Sequence, residues 1–366
     1  MKNLLTIAIV LASSTAFATR ARLNALQNAA HLVEAGTVYA NPSDIVGLSD
    51  SLTLETGATT TSTSGANSEG LLIKSFGDAK LGLSLGHKDA NIMTIRNAGA
   101  TTVGATANTA MQQNPLELTY GTKMGDMSVA GTLVYSNYND KKNNIKESTT
   151  SLRAGAQTAM WTASVNLGLV NKWEDTSAAN DEIKGKTNVI VNAGYNVSPS
   201  MYAFGVVEMT GHKATNNTAQ AADVDNTNLQ VGVVESVKKD GSEFFYGASL
   251  RSESSKDAVT SSSTDDTKTT AMYVPVIIGF EADAASWLTL RGSVTQKVLI
   301  NDSKTETNGA TTAETSPGVN STTFAAGAGV KFNKITLDGS LLASGSQDIN
   351  LGANKLLGQV GLTYTF

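Results

Sequence analysis

At 366 residues, with 33 glycines, 5 prolines, no cysteine and a net charge of -5, the chain lacks the raw material of several protein classes. The absence of cysteine argues against a lipid-anchored N-terminus, a disulfide scaffold or a thiolate metal site, and nothing basic marks a nucleic-acid surface. A soluble chain of this length is usually read as two domains, yet no linker, charge run or composition shift divides it, so one domain is the simpler reading.

The chain opens on an export pattern. Met1-Lys2-Asn3 is a short positive start, Leu4 to Ala12 an apolar core, and Ala16-Phe17-Ala18 a small-x-small cleavage site. Together they predict a signal peptide over residues 1–18 and a mature chain from Thr19. That apolar run is about half the roughly 20 residues of a spanning helix, and no later segment comes close. Residues 19–47 differ from everything after them: Ala21 to Ala35 places Leu23, Leu26, Ala30 and Val33 near one helical face, followed by Tyr39-Ala40-Asn41-Pro42-Ser43.

From residue 48 to 366, period-2 segments recur. In the first half they are Ser51 to Gly57, Glu69 to Phe76, Ala79 to Lys88, Pro115 to Lys123, Asp126 to Tyr138, Thr149 to Ala159, Trp161 to Trp173, and Lys186 to Tyr195. In the second they are Ser200 to Thr210, Asn226 to Val237, Glu243 to Ser252, Thr269 to Glu281, Ser286 to Val298, Thr322 to Phe332, Ile335 to Ser344, and Asn354 to Phe366. Seven tight connections, at Gly77-Asp78, Met124-Gly125, Met160, Asn196 to Pro199, Lys238 to Gly241, Ala282 to Ala285 and Asn333-Lys334, alternate with long polar ones such as Gly211 to Asp225, Glu253 to Lys268 and Leu299 to Ser321. This predicts sixteen strands in an all-β, transmembrane, antiparallel up-and-down β-barrel with a short N-terminal helical segment, fourteen being the alternative if the first two segments fail.

Face assignment follows from parity. Val189, Val191 and Ala193 oppose Asn188 and Asn192, while Leu288, Leu290 and Val294 oppose Thr289, Arg291, Ser293 and Thr295, as lipid and lumen faces should. Trp161, Tyr195, Tyr202, Phe280, Trp287, Phe332 and Phe366 fall beside short turns or at the terminus and predict one aromatic belt, with Trp287 misplaced inward by strict parity. In the last segment Leu356, Val360, Leu362, Tyr364 and Phe366 share one face, and Gln359, Gly361, Thr363 and Thr365 the other.

This ending resembles the terminal strand of bacterial outer-membrane β-barrels, in which a final Phe after alternating apolar residues signals barrel assembly. The resemblance implies an assembly signal at Tyr364 and Phe366, placement in the outer membrane among its lipids and lipopolysaccharide, and delivery by the barrel assembly machinery. The alanine-rich stretch before Asn41-Pro42-Ser43 is similar to the N-terminal hatch of long-chain fatty-acid transporter-type barrels, where the motif reads Asn-Pro-Ala. A periplasmic helical extension or lumen filler is the other reading of the same residues.

Parity sends Lys80, Arg153, Arg251, Arg291, Lys297, Lys331 and Lys355 inward, opposed by Glu117, Glu281 and Asp338, an excess of positive charge in an acidic chain. A polar, charged interior points to a porin-type channel for passive diffusion of small hydrophilic solutes and ions, with a weak preference for anions and no cofactor or metal. No acidic Pro-Glu-Phe-Gly-Gly constriction motif is present. The rivals are a plugged transporter of hydrophobic substrates and a structural surface barrel, and assembly as a homotrimer stays open. His87 and His212, with Asp89 near the first, fall at predicted outer strand ends, but a base needs a third group to orient it, and no enzyme is expected. The loop from Asp89 to Asn114 carries Ile92, Met93, Ile95 and Val103 and no run of charge, and is expected to fold back into the lumen.

Overall fold

A computed structural model describes residues 19–366 apart from 58–66, 106–109, 178–180, 187, 217–218, 259–265, 308–309, 316–321 and 346–355. The predicted signal peptide and Lys355 lie outside the described residues. Sixteen staves form one antiparallel barrel. They are β1 Ser51–Gly57, β2 Asn67–Phe76, β3 Ala79–Leu85, β4 Leu116–Met124, β5 Met127–Asp140, β6 Ile145–Gln157, β7 Trp161–Asp175, and β8 in two segments, Asp181–Gly185 and Asn188–Asn196. Then come β9 Met201–Asn216, β10 Ala219–Lys239, β11 Ser242–Ala258, β12 Asp266–Ala285, β13 Leu288–Thr307, β14 as Ala310–Thr315 and Thr322–Phe332, β15 Ile335–Gly345, and β16 Leu356–Thr365. Both segments of β8 pair with β7 and β9, so they are one stave interrupted near Lys186. The barrel closes where β16 pairs with β1, from Leu52 opposite Tyr364 to Thr56 opposite Val360. Closure leaves no open edge, which is what lets strands cross a bilayer.

The exterior is a continuous apolar surface. Leu118, Leu133, Val231, Ile278, Leu341 and Val360 all stand exposed on outward faces, an expanse no soluble monomer leaves in water. Their inward neighbours are polar: Thr119, Thr132, Ser249, Ser293, Ser340 and Gln359 are buried inside. Alternation along each stave therefore separates a lipid face from a lumen face.

The predicted tight turns hold at six places and move at one. The chain stays paired through Ala285, with a bulge beside Asp283 opposite Thr289, and turns at Ser286-Trp287 instead of Ala282 to Ala285. Thr289 Oγ1 donates to Asp283 Oδ1 at 2.6 Å, which holds the extended hairpin together. The shift puts Trp287 at the turn tip and exposed, and removes its parity misfit. Tyr202 leaves the belt for a different reason: it shares the inward face of β9 with Phe204 and lies across Gly194.

Most predicted long loops are strand. β9 and β10 stay paired to Asn216 opposite Ala219, with one register shift between Ala214 and Thr215, and β10 runs for 21 residues where roughly 9–11 suffice to span. Above the membrane water wets both faces, so a polar sequence can keep the backbone ladder without an apolar side. Gly211 to Asp225 and much of Glu253 to Lys268 and Leu299 to Ser321 are thus projecting hairpins.

At the terminus, Tyr364 and Phe366 are exposed and meet edge to face with centroids 5.5 Å apart, while the Lys74 ammonium sits 5.4 Å above the Phe366 ring. The Phe366 N–H donates to the Asp50 carbonyl at 3.2 Å, tying the end of the chain to the start of the barrel. Deleting Phe366 is expected to cut outer-membrane insertion and leave the chain protease-sensitive. Heat-modifiable folded barrel at normal levels in that deletion would show the residue carries no assembly information.

Candidate functional site

The lumen is occupied by two segments. The first is Thr19 to Leu48. The sequence predicts a helix from Ala21 to Ala35, but helix α1 spans only Arg20–Ala25, and Gln27 and Asn28 follow at φ 48° and 53°. Two 3-10 turns, Ala35–Tyr39 and Pro42–Gly47, complete it. The wall outcompetes the helix here: Gln27 Nε2 donates to the Thr323 carbonyl at 3.1 Å, Asn24 bonds Gln359, and Leu23, Leu26, Ala29 and Leu32 pack with Phe245 and Val234. Val33, expected on the buried face, is exposed.

The second turn sits in a hollow made by missing side chains. A Cβ on Gly82 or Gly121 would lie 2.7 Å from Ile45, and one on Gly155 would lie 2.0 Å from Asn41 Oδ1. Asn41 caps the turn, accepting from the Ser43 N–H at 3.2 Å, and donates to Thr162 Oγ1 on the wall at 2.7 Å. Ile45 is fully buried there, with Val38, Leu71 and Ile73.

Asp44 in this turn bonds Thr37 Oγ1 and accepts from Asn41 Nδ2 at 3.1 Å, and burial pushes its carboxyl up to about 7 although the Thr37 bond opposes the shift. The docked segment therefore holds a proton that a released one gives up above about pH 4. Docking is strongest below that pH and weakens as pH rises to about 7, by up to about tenfold per pH unit. In a chain without native cysteine, thiol labelling of Val46→Cys should accelerate over this window, and Asp44→Asn should flatten the profile. A flat profile with Asp44 intact would count against a buried carboxyl acid at this turn.

The second segment is helix α2, Ala90–Val103, in the loop after β3. Asp89 caps it, accepting from the Asn91 and Ile92 N–H groups at 2.9 and 3.3 Å, and Gly104 at φ 73° ends it. As expected for this loop, α2 folds inward: Ala100 and Val103 pack with Ile145, Trp173, Ile183 and Ala214 near the long-hairpin end. Fully buried Arg96 fixes it, donating to Asn171 Oδ1 at 2.7 Å and Thr149 Oγ1 at 2.8 Å and pairing with Glu147 Oε1 at 3.0 Å.

Of the charges that parity sends inward, Glu117, Arg153, Arg291 and Asp338 are buried, and those described are mostly paired. Arg153 donates to Glu117 Oε2 at 2.6 Å and Asp89 Oδ2 at 2.7 Å, and His87 Nδ1 lies 2.7 Å from Glu117 Oε1. Burial alone would raise Asp89, yet the Arg153 guanidinium beside it holds its carboxyl below the usual range. Tyr39 stacks on His87 with centroids 3.6 Å apart, joining the N-terminal segment to this cluster. Arg291 bridges Glu281 at 2.5 Å and Asp338 at 2.6 Å, and Arg22 reaches the same Glu281 at 2.5 Å. Lys80 pairs with Asp50 at 3.0 Å, Arg251 with Glu253 at 2.7 Å, and Lys331 with Asp283 at 3.6 Å. Lys297 is exposed, 4.8 Å above the Tyr273 ring.

Among the described residues the expected excess of inward positive charge is therefore not found. Parity located the bases but could not see Asp50, Asp89, Glu34, Glu69 and Glu147, which the plug, the loop and other staves bring against them or against Arg20, Arg22 and Arg96. The missed residues had one visible signal. Arg96 is a lone cation among Ile92, Ile95 and Val103 of an otherwise uncharged helix, where a buried charge needs a partner.

A polar cavity of ≈ 380 Å³ lies between α2 and the inner faces of β9 to β12. Asn91 and Thr94 bound it on the helix, and Glu208, Asn226, Asn228 and Glu253 on the wall.

A closed sixteen-stave barrel with an apolar exterior and a polar, ion-paired lumen defines a transmembrane β-barrel of the bacterial outer-membrane kind. No family model and no curated protein match the sequence. Solved structures of similar fold include the CymD monoaromatic hydrocarbon channel, at 10% identity over 94% of this chain and 97% of that one with a TM-score of 0.44. Others are the Ralstonia pickettii toluene transporter TbuX, at 8% identity over 94% and 98% with a TM-score of 0.40, and the outer membrane channel DcaP of Acinetobacter baumannii, at 11% over 87% and 95% with a TM-score of 0.38.

Proposed function

We propose that the chain is an outer-membrane channel that passes small hydrophilic solutes and ions passively through a lumen narrowed by its own N-terminal segment and by α2. The observation that carries this reading is the chemistry of the space left over: the cavity beside α2 is lined by amides, hydroxyls and carboxylates, not by a greasy track. The apolar residues that favour a transporter of hydrophobic substrates, Ile92, Met93, Ile95 and Val103, are all buried in packing and are not available to line a passage. His87 serves structure in this reading, since it is bound to Glu117 and stacked on Tyr39. Export through a cleaved signal peptide and recognition of Tyr364 and Phe366 by the assembly machinery complete the proposal. Single-channel recording in planar bilayers tests it. Stable conductance steps in KCl support the channel, whereas a silent barrel that speeds uptake of apolar solutes would favour the hydrophobic-substrate transporter.

A further inference from the structure

We infer that the cavity between α2 and strands β9 to β12 is a station for small hydrophilic cations, such as solutes bearing an ammonium group, with Glu208 as its anchor. The inference rests on the channel reading and adds a substrate class to it.

The charge on the cavity wall decides the sign. Two carboxylates face the space, Glu208 and Glu253. Glu253 is compensated, by Arg251 Nε at 2.7 Å and by the Tyr273 hydroxyl. Glu208 is not: it accepts from Asn228 Nδ2 at 3.0 Å and has no cationic partner among the described residues. The remaining side chains on this lining, among them Asn91, Thr94, Thr210, Asn226 and Ser255, are neutral. One uncompensated negative charge therefore faces the cavity, half-buried, where water screens it less than at the surface.

Of the described features near the cavity that would favour an anion, Arg251 is held by Glu253 and the start of α2 is already satisfied, because the Asp89 carboxylate accepts from its first N–H groups. Of the lumen bases that could compete, Arg153 is held by Glu117 and Asp89 and Arg291 by Glu281 and Asp338, while the Lys297 ammonium lies over the Tyr273 ring. An ammonium has three donors and no acceptor, and it meets here a carboxylate, amide oxygens and hydroxyl oxygens. Toward the rim the inner face of β11 continues with Asp257, whose buried Oδ1 has no hydrogen-bond partner among the described residues. The size of the space, ≈ 380 Å³, lies at the lower end of ligand pockets and suits a small solute.

Two measurements test the assignment. Reversal potentials across a gradient of about 0.1 M against about 0.01 M KCl should show cation preference, reduced several-fold by Glu208→Gln and inverted by Glu208→Lys, with the heat-modifiable barrel unchanged. An anion-preferring wild type, or a folded Glu208→Gln with wild-type selectivity, would overturn it. Calorimetric titration of the folded barrel with ethanolammonium chloride needs no conduction. Binding that Glu208→Gln abolishes supports the station even in a barrel that proves silent in bilayers, where the channel reading alone would fall, and absence of binding in a conducting wild type overturns the station alone.

Discussion

Arg96→Ala is expected to release α2 from the wall, raise single-channel conductance several-fold and expose the loop to external protease. The guanidinium is fully buried, and it is the only charged group of α2. Its Nη1 donates to the Ala110 carbonyl at 3.2 Å, and its Nη2 to the Ser148 and Lys172 carbonyls at 3.1 and 3.2 Å, so one side chain joins the loop to β6 and β7. Truncation leaves Glu147, also buried, without its cation, and breaking such a pair costs about 3–5 kcal/mol. Ile92, Met93, Ile95, Ala100 and Val103 keep their apolar burial, so the helix is released only as far as hydrating the orphaned carboxylate requires. Arg96→Met combined with Glu147→Leu removes both charges and should restore the narrow conductance, which separates the effect of an orphaned charge from a general loss of fold. Thr101→Ala, on the exposed face of α2, should change nothing. Wild-type conductance and protease resistance in Arg96→Ala would mean that α2 is held by packing alone.

Gly155→Val is expected to expel the Asn41 to Gly47 turn while the barrel still assembles. A β-branched residue suits a strand, and the backbone there is not in the left-handed region, so β6 tolerates the side chain. The hollow does not: its Cβ would overlap Asn41 Oδ1 and crowd the Ser43 N–H at 3.0 Å, which is backbone and cannot swing away. Undocking exposes Ile45 and Val38, at roughly 1.5–3 kcal/mol per buried aliphatic side chain, and frees the Asn41-capped turn of its wall contacts. Conductance should rise and Val46→Cys should label rapidly at every pH. Gly131→Val is the matched control on the outer face, where the nearest atom to a new Cβ is 3.6 Å away. Equal conductance in Gly155→Val and Gly131→Val would show that the N-terminal segment does not obstruct the passage.

Much of the barrel is legible residue by residue. The alternation of Val189, Val191 and Ala193 against Asn188 and Asn192 is a local pattern, and it survives in the structure because a bilayer and a lumen impose the same two faces on every stave. The weak first two segments are real staves, since β1 carries Leu52 and Leu54 outward and pairs on both sides. Polar hairpins misread as loops mark where that code stops working, for above the membrane neither face must be apolar and the period carries no signal. Helix α1 stops early for a related reason. Its continuation met a wall offering the Thr323 carbonyl and an apolar shelf at Phe245, and short helices yield to such tertiary partners.

The sequence by itself determined the barrel and its two faces and favoured sixteen staves over fourteen, because period-2 alternation and turn residues are properties of neighbours in the chain. Only the tertiary structure decided what fills the lumen and which charges remain free. Arg22 meets Glu281 and Thr19 meets Asp338 across separations of 259 and 319 residues, pairings that depend on closure of the whole sheet. Charge on a lumen wall counts only after such pairs are subtracted, and among the described residues the subtraction leaves Glu208 facing the cavity beside α2, where parity alone had left an excess of lysine and arginine.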